Sequence, residues 1–170
     1  MFGKYNIITL KNPKHLNAED EETLQPLEAA IDLALMDDVS EICVLRGGIV
    51  NHPKYANKRI FGSGINLTHL YNGKISYLWY IKRDMGAVNK VFRGIAHEEF
   101  SIDDPFFPTR EKPWIATLDT FAIGGGCQYL LVMDHIIADK DSYMTLPARK
   151  EGIIPGVANL RLWRFTDDRI

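Results

Sequence analysis

The segment Ala122-Ile123-Gly124-Gly125-Gly126-Cys127-Gln128 constrains this chain more than any other, because it separates an apolar strand-like run, 114–118, from an apolar helix-like run, 129–133. Three consecutive glycines leave bare backbone N–H groups where a ligand can approach closely, at the positive end of a helix dipole. An oxyanion hole is built this way; a flexible loop is the other reading of such a run. A second, separate glycine turn, Phe61-Gly62-Ser63-Gly64-Ile65-Asn66-Leu67, offers the first a partner.

The 170 residues, 46% hydrophobic and 25% charged, suffice for one domain, 1–170, with a real core. A net charge of -2 argues against a nucleic-acid partner, and the one short basic run, 52–59, contains Pro53. With no signal region and no apolar run long enough to cross a bilayer, no membrane partner is expected and a cytoplasmic location is. Cys43 and Cys127 lie far apart and read as reduced thiols. The histidines at 15, 52, 69, 97 and 135 show no ligand spacing, so no metal is expected.

In chain order, Tyr5–Leu10 reads as a strand stopped by Asn12-Pro13. Asn17 is a candidate N-cap for a helix whose apolar residues Leu24, Leu27, Ile31, Ala34 and Leu35 recur at helical spacing, with Pro26 kinking it or delaying its start. A short buried strand, 42–45, ends at Gly47-Gly48, and 49–58 reads as loop. The longest helical pattern spans 76–95, where Leu78, Ile81, Met85, Val88 and Phe92 form an apolar stripe expected to pack in the core. Residues 96–113 read as a loop, 135–138 and 143–146 as short strands, and 157–163 as a final helix after the turn Ile153-Ile154-Pro155-Gly156.

This order of elements, with the Gly-Ser-Gly-Ile-Asn-Leu turn, the Lys-Pro-Trp strand, the Ile-Gly-Gly-Gly-Cys helix start and the Ile-Ile-Pro-Gly turn, resembles the crotonase (enoyl-CoA hydratase/isomerase) superfamily over about residues 5–165. The resemblance implies an α/β fold: a crotonase-like core of repeated ββα units wound as a superhelix. It also implies an acyl-CoA substrate and a homo-oligomer, a trimer or hexamer in the family. Family members continue into C-terminal helices that complete the CoA site and the trimer contacts, so the chain reads as a core truncated at its C-terminus.

In the family each glycine turn gives one backbone N–H to the thioester oxygen, and the carry-over lands on Ile65 and Gly125. Two fixed donors stabilise an enolate, and loss of one typically costs ~3 kcal/mol of barrier. Hydratases of the family carry one catalytic glutamate directly after Gly-Gly-Gly-Cys and a second after a later proline; this chain has Gln128 and, after Pro147, Ala148. A carboxamide and a methyl group cannot supply the acid and base that hydration needs. Glu151 comes too late in the sequence to be the second carboxylate without a shift of the chain.

Within the superfamily, Gly-Gly-Gly-Cys-Gln, Leu-Pro-Ala-x-Lys-Glu-Gly-Ile-Ile-Pro-Gly, His-Leu-Asn-Ala-Glu-Asp and Gly-Ile-Asn-Leu are similar to the (3,5-dihydroxyphenyl)acetyl-CoA 1,2-dioxygenases, whose N-terminal helical region has no counterpart here. That branch oxidises an arylacetyl-CoA with O2 as co-substrate, with coenzyme A as part of the substrate and no metal or organic cofactor. On this resemblance Gly64, Gly124 and Gly126 permit the geometry around Ile65 and Gly125, and Gln128 bonds the substrate or an oxygen intermediate. Arg83 orients ring hydroxyls or a carboxylate partner. Glu19 pairs with Arg83 or accepts a ring hydroxyl, though a helix's first turn explains it equally. Ser63 and Lys14 belong to the substrate and CoA-binding set, Lys14 toward the phosphates or as an ordinary surface lysine. Ile154 lines the pocket or packs in the core.

Overall fold

The computed structural model describes residues 4–97, 103, 109–152 and 156–164. Strand β1 (Tyr5–Leu10) leads through a short 3-10 turn (Pro13–His15) into helix α1 (Glu21–Met36). Then come β2 (Ile42–Ile49), a second 3-10 turn (Pro53–Tyr55), β3 (Arg59–Ile60) and α2 (Leu67–Tyr71). A longer helix follows in three parts: α3 (Tyr77–Lys82), a π-helical stretch (Arg83–Val88) and α4 (Asn89–Arg93). The hairpin strands β4 (Ile95–Ala96) and β5 (Thr109–Arg110) precede β6 (Trp114–Leu118), β7 (Phe121–Ile123) and α5 (Gly125–Leu130). The chain continues with β8 (His135–Ala138), β9 (Tyr143–Thr145), α6 (Ala148–Glu151) and a 3-10 helix (Val157–Arg164).

Strands β1, β2, β6 and β8 form one parallel sheet in that order, with β3 antiparallel to the end of β2. A second parallel pair, β7 with β9, is extended by a bridge from Gly62 to Ala122. A strand in the first sheet, a strand in the second and a helix therefore recur as β6-β7-α5 and β8-β9-α6. The core lies between the parallel sheet and the helices. Its fully buried members include Ile31 and Leu35 of α1, Leu45 of β2, Trp114 and Leu118 of β6, and Tyr129 and Leu130 of α5. Among the described residues no helix is long and apolar enough to cross a membrane.

Several local expectations change. The cap of α1 is Asp20, whose side chain accepts from the Thr23 N–H at 3.2 Å while the Thr23 hydroxyl accepts from the Asp20 N–H, a reciprocal capping box. Asn17 instead sits in the left-handed region (φ 56) and is buried, donating to the carbonyls of Gly48 and Ile60 at 2.9 and 2.7 Å. A short carboxamide tolerates that backbone and satisfies two buried carbonyls at once. Pro26 does not delay α1, which starts before it and continues past it. Strand β2 runs on through Gly47-Gly48, because β3 pairs with it there. Helix α5 begins inside the glycine run and ends at Leu130, ahead of much of 129–133, and the last helix is 3-10.

The stripe expected on the long helix holds only in its second half: Val88 is buried and Phe92 packs against the core, but Leu78, Ile81 and Met85 are exposed. The π-helical stretch adds residues to the turn and rotates the inward face, which now carries Trp79, Arg83, Ala87, Val88 and Val91. Met85→Lys is therefore expected to change stability by less than about 0.5 kcal/mol. Trp79→Ala is expected to cost about 3–5 kcal/mol, both read from urea unfolding curves.

Candidate active site

The two glycine turns lie against each other. The Ile123 N–H donates to the Gly62 carbonyl at 2.9 Å, and the Gly124 N–H to Thr145 of β9 at 2.9 Å. Gly64 (φ 87) and Gly124 (φ 52) hold backbone conformations that side chains avoid, and a Cβ on Gly64 would stand only 3.5 Å from the Gly125 nitrogen. Ile65 and Gly125 thus come to one cavity, which both line. Among the described residues neither of their N–H groups donates to a backbone acceptor.

Glu19 joins the turns twice. Its main chain is bonded to the first: the Glu19 N–H donates to Gly64 and the Asn66 N–H to the Glu19 carbonyl, each at 2.8 Å. Its carboxylate receives Arg83 Nε at 2.5 Å and Nη2 at 3.0 Å, a bidentate pair. The same guanidinium reaches the second turn, donating to the Gly125 carbonyl and to Gln128 Oε1, both at 2.8 Å, and also to Asp84 at 2.9 Å. All five donors of the fork are matched by these bonds. Because a guanidinium only donates, it fixes which end of the Gln128 amide faces it.

Burial works against charge on Arg83, but the fields of Glu19 and Asp84 and the Glu19 hydrogen bonds outweigh it, and its pKa is raised. The guanidinium also lies 4.8 Å from the centre of the Tyr129 ring, whose hydroxyl is pushed up by burial. Burial pushes the Cys127 thiol up to about 11.

Besides Ile65, Gly125, Glu19, Arg83 and Gln128, the cavity of about 40 Å³ is lined by Trp79, Asp84, Ala148 and Asn159 among others. The Ala148 methyl and the Gln128 carboxamide occupy the two places where the hydratase pattern has carboxylates. Gly126 packs on the first turn, where a Cβ would stand 2.9 Å from the Gly62 carbonyl. Ser63 donates to the His15 carbonyl at 3.1 Å, beside the 3-10 turn that carries exposed Lys14. Neither Ser63 nor Lys14 lines this cavity. Ile154 lies outside the described residues, as does the side chain of Glu151. Among the described residues no three His, Cys, Asp or Glu side chains group as metal ligands. Asp84 and Asn159 have no signal in the sequence, because a π-helical and a 3-10 stretch carry them and neither has a sequence period, whereas Trp79 lies on α3 beside the expected stripe residue Leu78.

Residues 5–166 match the family model described as enoyl-CoA hydratase/isomerase. The chain belongs to the enoyl-CoA hydratase/isomerase family. Among its curated family relatives, the (3,5-dihydroxyphenyl)acetyl-CoA 1,2-dioxygenase of Amycolatopsis orientalis is 46% identical over 96% of this chain and 37% of its own length. The crotonyl-CoA hydratase of Syntrophomonas wolfei is 27% identical over 90% of this chain and 50% of its own. The chain thus spans about a third to a half of these relatives. A crystal structure described as a putative enoyl-CoA hydratase/isomerase (crotonase) from Legionella pneumophila superposes with a TM-score of 0.70 at 22% identity, covering 99% of this chain and 57% of that one. The fold is the crotonase α/β fold expected from the sequence, and the match takes in about half of that family member.

Breaking the clamp from one side leaves Glu19 unpaired, so Arg83→Met is expected to cost about 3–5 kcal/mol. The double variant Arg83→Met/Glu19→Gln should recover part of that loss in the same urea titration. Since the Cys127 thiol stays protonated up to about pH 11, an aromatic disulfide reagent at pH 8 should label it only after unfolding.

Proposed function

We propose that this protein binds an arylacetyl-CoA, stabilises its enolate and oxidises it with O2. The observation that carries this reading is the meeting of the Gly64-Ile65 and Gly124-Gly125 turns at a cavity where Gln128 and Ala148 stand in place of acid–base carboxylates. The 46% identity to a (3,5-dihydroxyphenyl)acetyl-CoA 1,2-dioxygenase supports the choice of substrate and oxidant.

The Ile65 and Gly125 N–H groups take the thioester oxygen as it gains charge, in a site whose donors are fixed before the reaction. An α-proton leaves to a carboxylate at the cavity, Glu19 or Asp84. The electron-rich aryl enolate passes an electron to O2, and recombination forms a C–O bond at the α-carbon. The terminal oxygen of that peroxide attacks the thioester carbonyl and expels CoA thiolate. O–O cleavage with loss of the second α-proton leaves an aryl α-keto acid. One thioester and one O2 give one keto acid and one CoA thiol, so no external electrons or metal are required.

In this reading Arg83 acts on the protein itself, since its donors are all engaged by Glu19, Asp84, Gly125 and Gln128. It holds the Gly125 carbonyl and turns the Gln128 amide so that its nitrogen is left for a ligand. Lys14 and Ser63, on neighbouring turns, are assigned to the CoA portion outside the cavity.

An oxygen electrode tests the proposal: (3,5-dihydroxyphenyl)acetyl-CoA should drive O2 uptake with a chelator present, releasing one thiol per O2. Crotonyl-CoA should not be hydrated. Hydration of crotonyl-CoA without O2 uptake would contradict the reading. Gly125→Ala, whose methyl would meet the Glu19 carboxylate, is expected to lower turnover by about a hundredfold or more.

A further inference from the structure

The peptide unit between Gly64 and Ile65 aims one of the two cavity amides. Its carbonyl, on Gly64, accepts from the Glu19 N–H at 2.8 Å. A peptide unit is planar and trans, so its other end, the Ile65 N–H, points to the opposite side. The Asn66 N–H donates to the Glu19 carbonyl at 2.8 Å and completes a bridge around Ile65. The direction of the Ile65 N–H is therefore set by where the main chain at Glu19 stands.

The next residue, Asp20, fixes that position. Its side chain is only 3% exposed, and Oδ1 accepts from the Thr23 N–H at 3.2 Å. Around Oδ2 stand Asn12 Nδ2 at 3.1 Å, Asn66 Nδ2 at 3.2 Å and His69 Nδ1 at 3.3 Å. A carboxylate only accepts, so His69 faces it with a proton on Nδ1. Thr23 fastens Asp20 to α1, and Asn12 to the chain after β1; Asn66 and His69 fasten it to the segment that carries Ile65. His69 also closes a ring of contacts there. Its main-chain N–H donates at 3.2 Å to Asn66 Oδ1, the cap of α2, while its imidazole shares Asp20 Oδ2 with the Asn66 amide nitrogen. Neither Asp20 nor His69 lines the active cavity.

We propose that His69 is a positioning residue: through Asp20 it holds the Gly64-Ile65 turn at the angle from which the Ile65 N–H meets a thioester oxygen. This rests on the arylacetyl-CoA reading and deepens it. Such donors act by being aimed before charge develops, and a misplacement of about 1 Å caused outside the reacting groups can cost about a hundredfold in rate. With leucine at position 69, Asp20 Oδ2 keeps its two carboxamide donors, and the imidazole removed is 21% exposed. The fold is therefore expected to survive while the turn loses one of its two side-chain ties to Asp20.

Anaerobic ¹³C NMR of a bound arylacetyl-CoA labelled at the thioester carbonyl tests this without turnover. In the wild-type protein the resonance should lie downfield of its position in water. In His69→Leu it should move back toward that position, with kcat for O2 uptake lowered about tenfold or more and KM changed less than about twofold. His69→Asn, whose Nδ2 stands as many bonds from the main chain as the Nδ1 it replaces, should restore both shift and rate. His69→Ala carries the test if the leucine variant does not fold. A wild-type resonance kept in His69→Leu, or lost equally in the leucine and asparagine variants, would overturn the inference. A wild-type resonance at its position in water or upfield of it would overturn the oxyanion reading as well. A downfield resonance without O2 uptake would overturn the oxidation alone, and the resonance of His69→Leu would still decide the inference.

Discussion

The bidentate pair between Arg83 and Glu19 is the constraint on which the rest of the site depends. Glu19 is tied by its main chain to the Gly64-Ile65 turn, and Arg83 by its second nitrogen to the Gly125 carbonyl. Two bends from distant parts of the sequence are therefore held by one guanidinium. With the Arg83 side chain only 3% exposed and that of Glu19 13%, neither partner is stable without the other. The close fit leaves no room for a side chain at Gly125, because a Cβ there would meet the carboxylate. Arg83 opens the π-helical stretch and shares the inward face with Trp79, Ala87 and Val88, while Leu78, Ile81 and Met85 turn outward.

The parts of the fold that could be read directly were those with one dominant physical cause. Strand β6 was legible as a short apolar run because Trp114, Ala116 and Leu118 are buried inside the sheet, and the edge strands β1 and β8 share its apolar pattern although Tyr5, Ile7 and Ile137 stay exposed. Both glycine turns were visible because positive φ and close backbone approach admit little else. What escaped notice depended on tertiary partners. Asn17 looked like a cap, but the carbonyls of Gly48 and Ile60 claim it. The stripe of Met85 and its neighbours had a sound helical period, which one π-turn rotated out of the core. The pairing of Glu19 with Arg83 was legible as one of two alternatives, but the hold of the same guanidinium on Gln128 and on the Gly125 carbonyl depends on tertiary placement. Asn159 and Asp84 carried no signal at all, since 3-10 and π turns have no pattern in sequence.

Glutamates at positions 128 and 148 would give this cavity the acid and base that water addition requires. With Gln128 and Ala148 there instead, the cavity keeps the two glycine turns beside Glu19 and Asp84, and in our proposal the turns place negative charge on a thioester oxygen. Such a site favours chemistry that the substrate completes itself once its enolate is formed. An oxidisable aryl group together with O2 meets that condition, which is why the reading turns on the acyl group as much as on the protein.

The account stands on two backbone amides sharing one carbonyl, and the carbonyl itself can report them. Isotope-edited infrared spectroscopy of an arylacetyl-CoA carrying a ¹³C thioester carbonyl, bound anaerobically, should show the stretching band moved to lower frequency than in water. A band at the frequency in water or above it, as for a carbonyl in an apolar pocket without donors, would contradict the account.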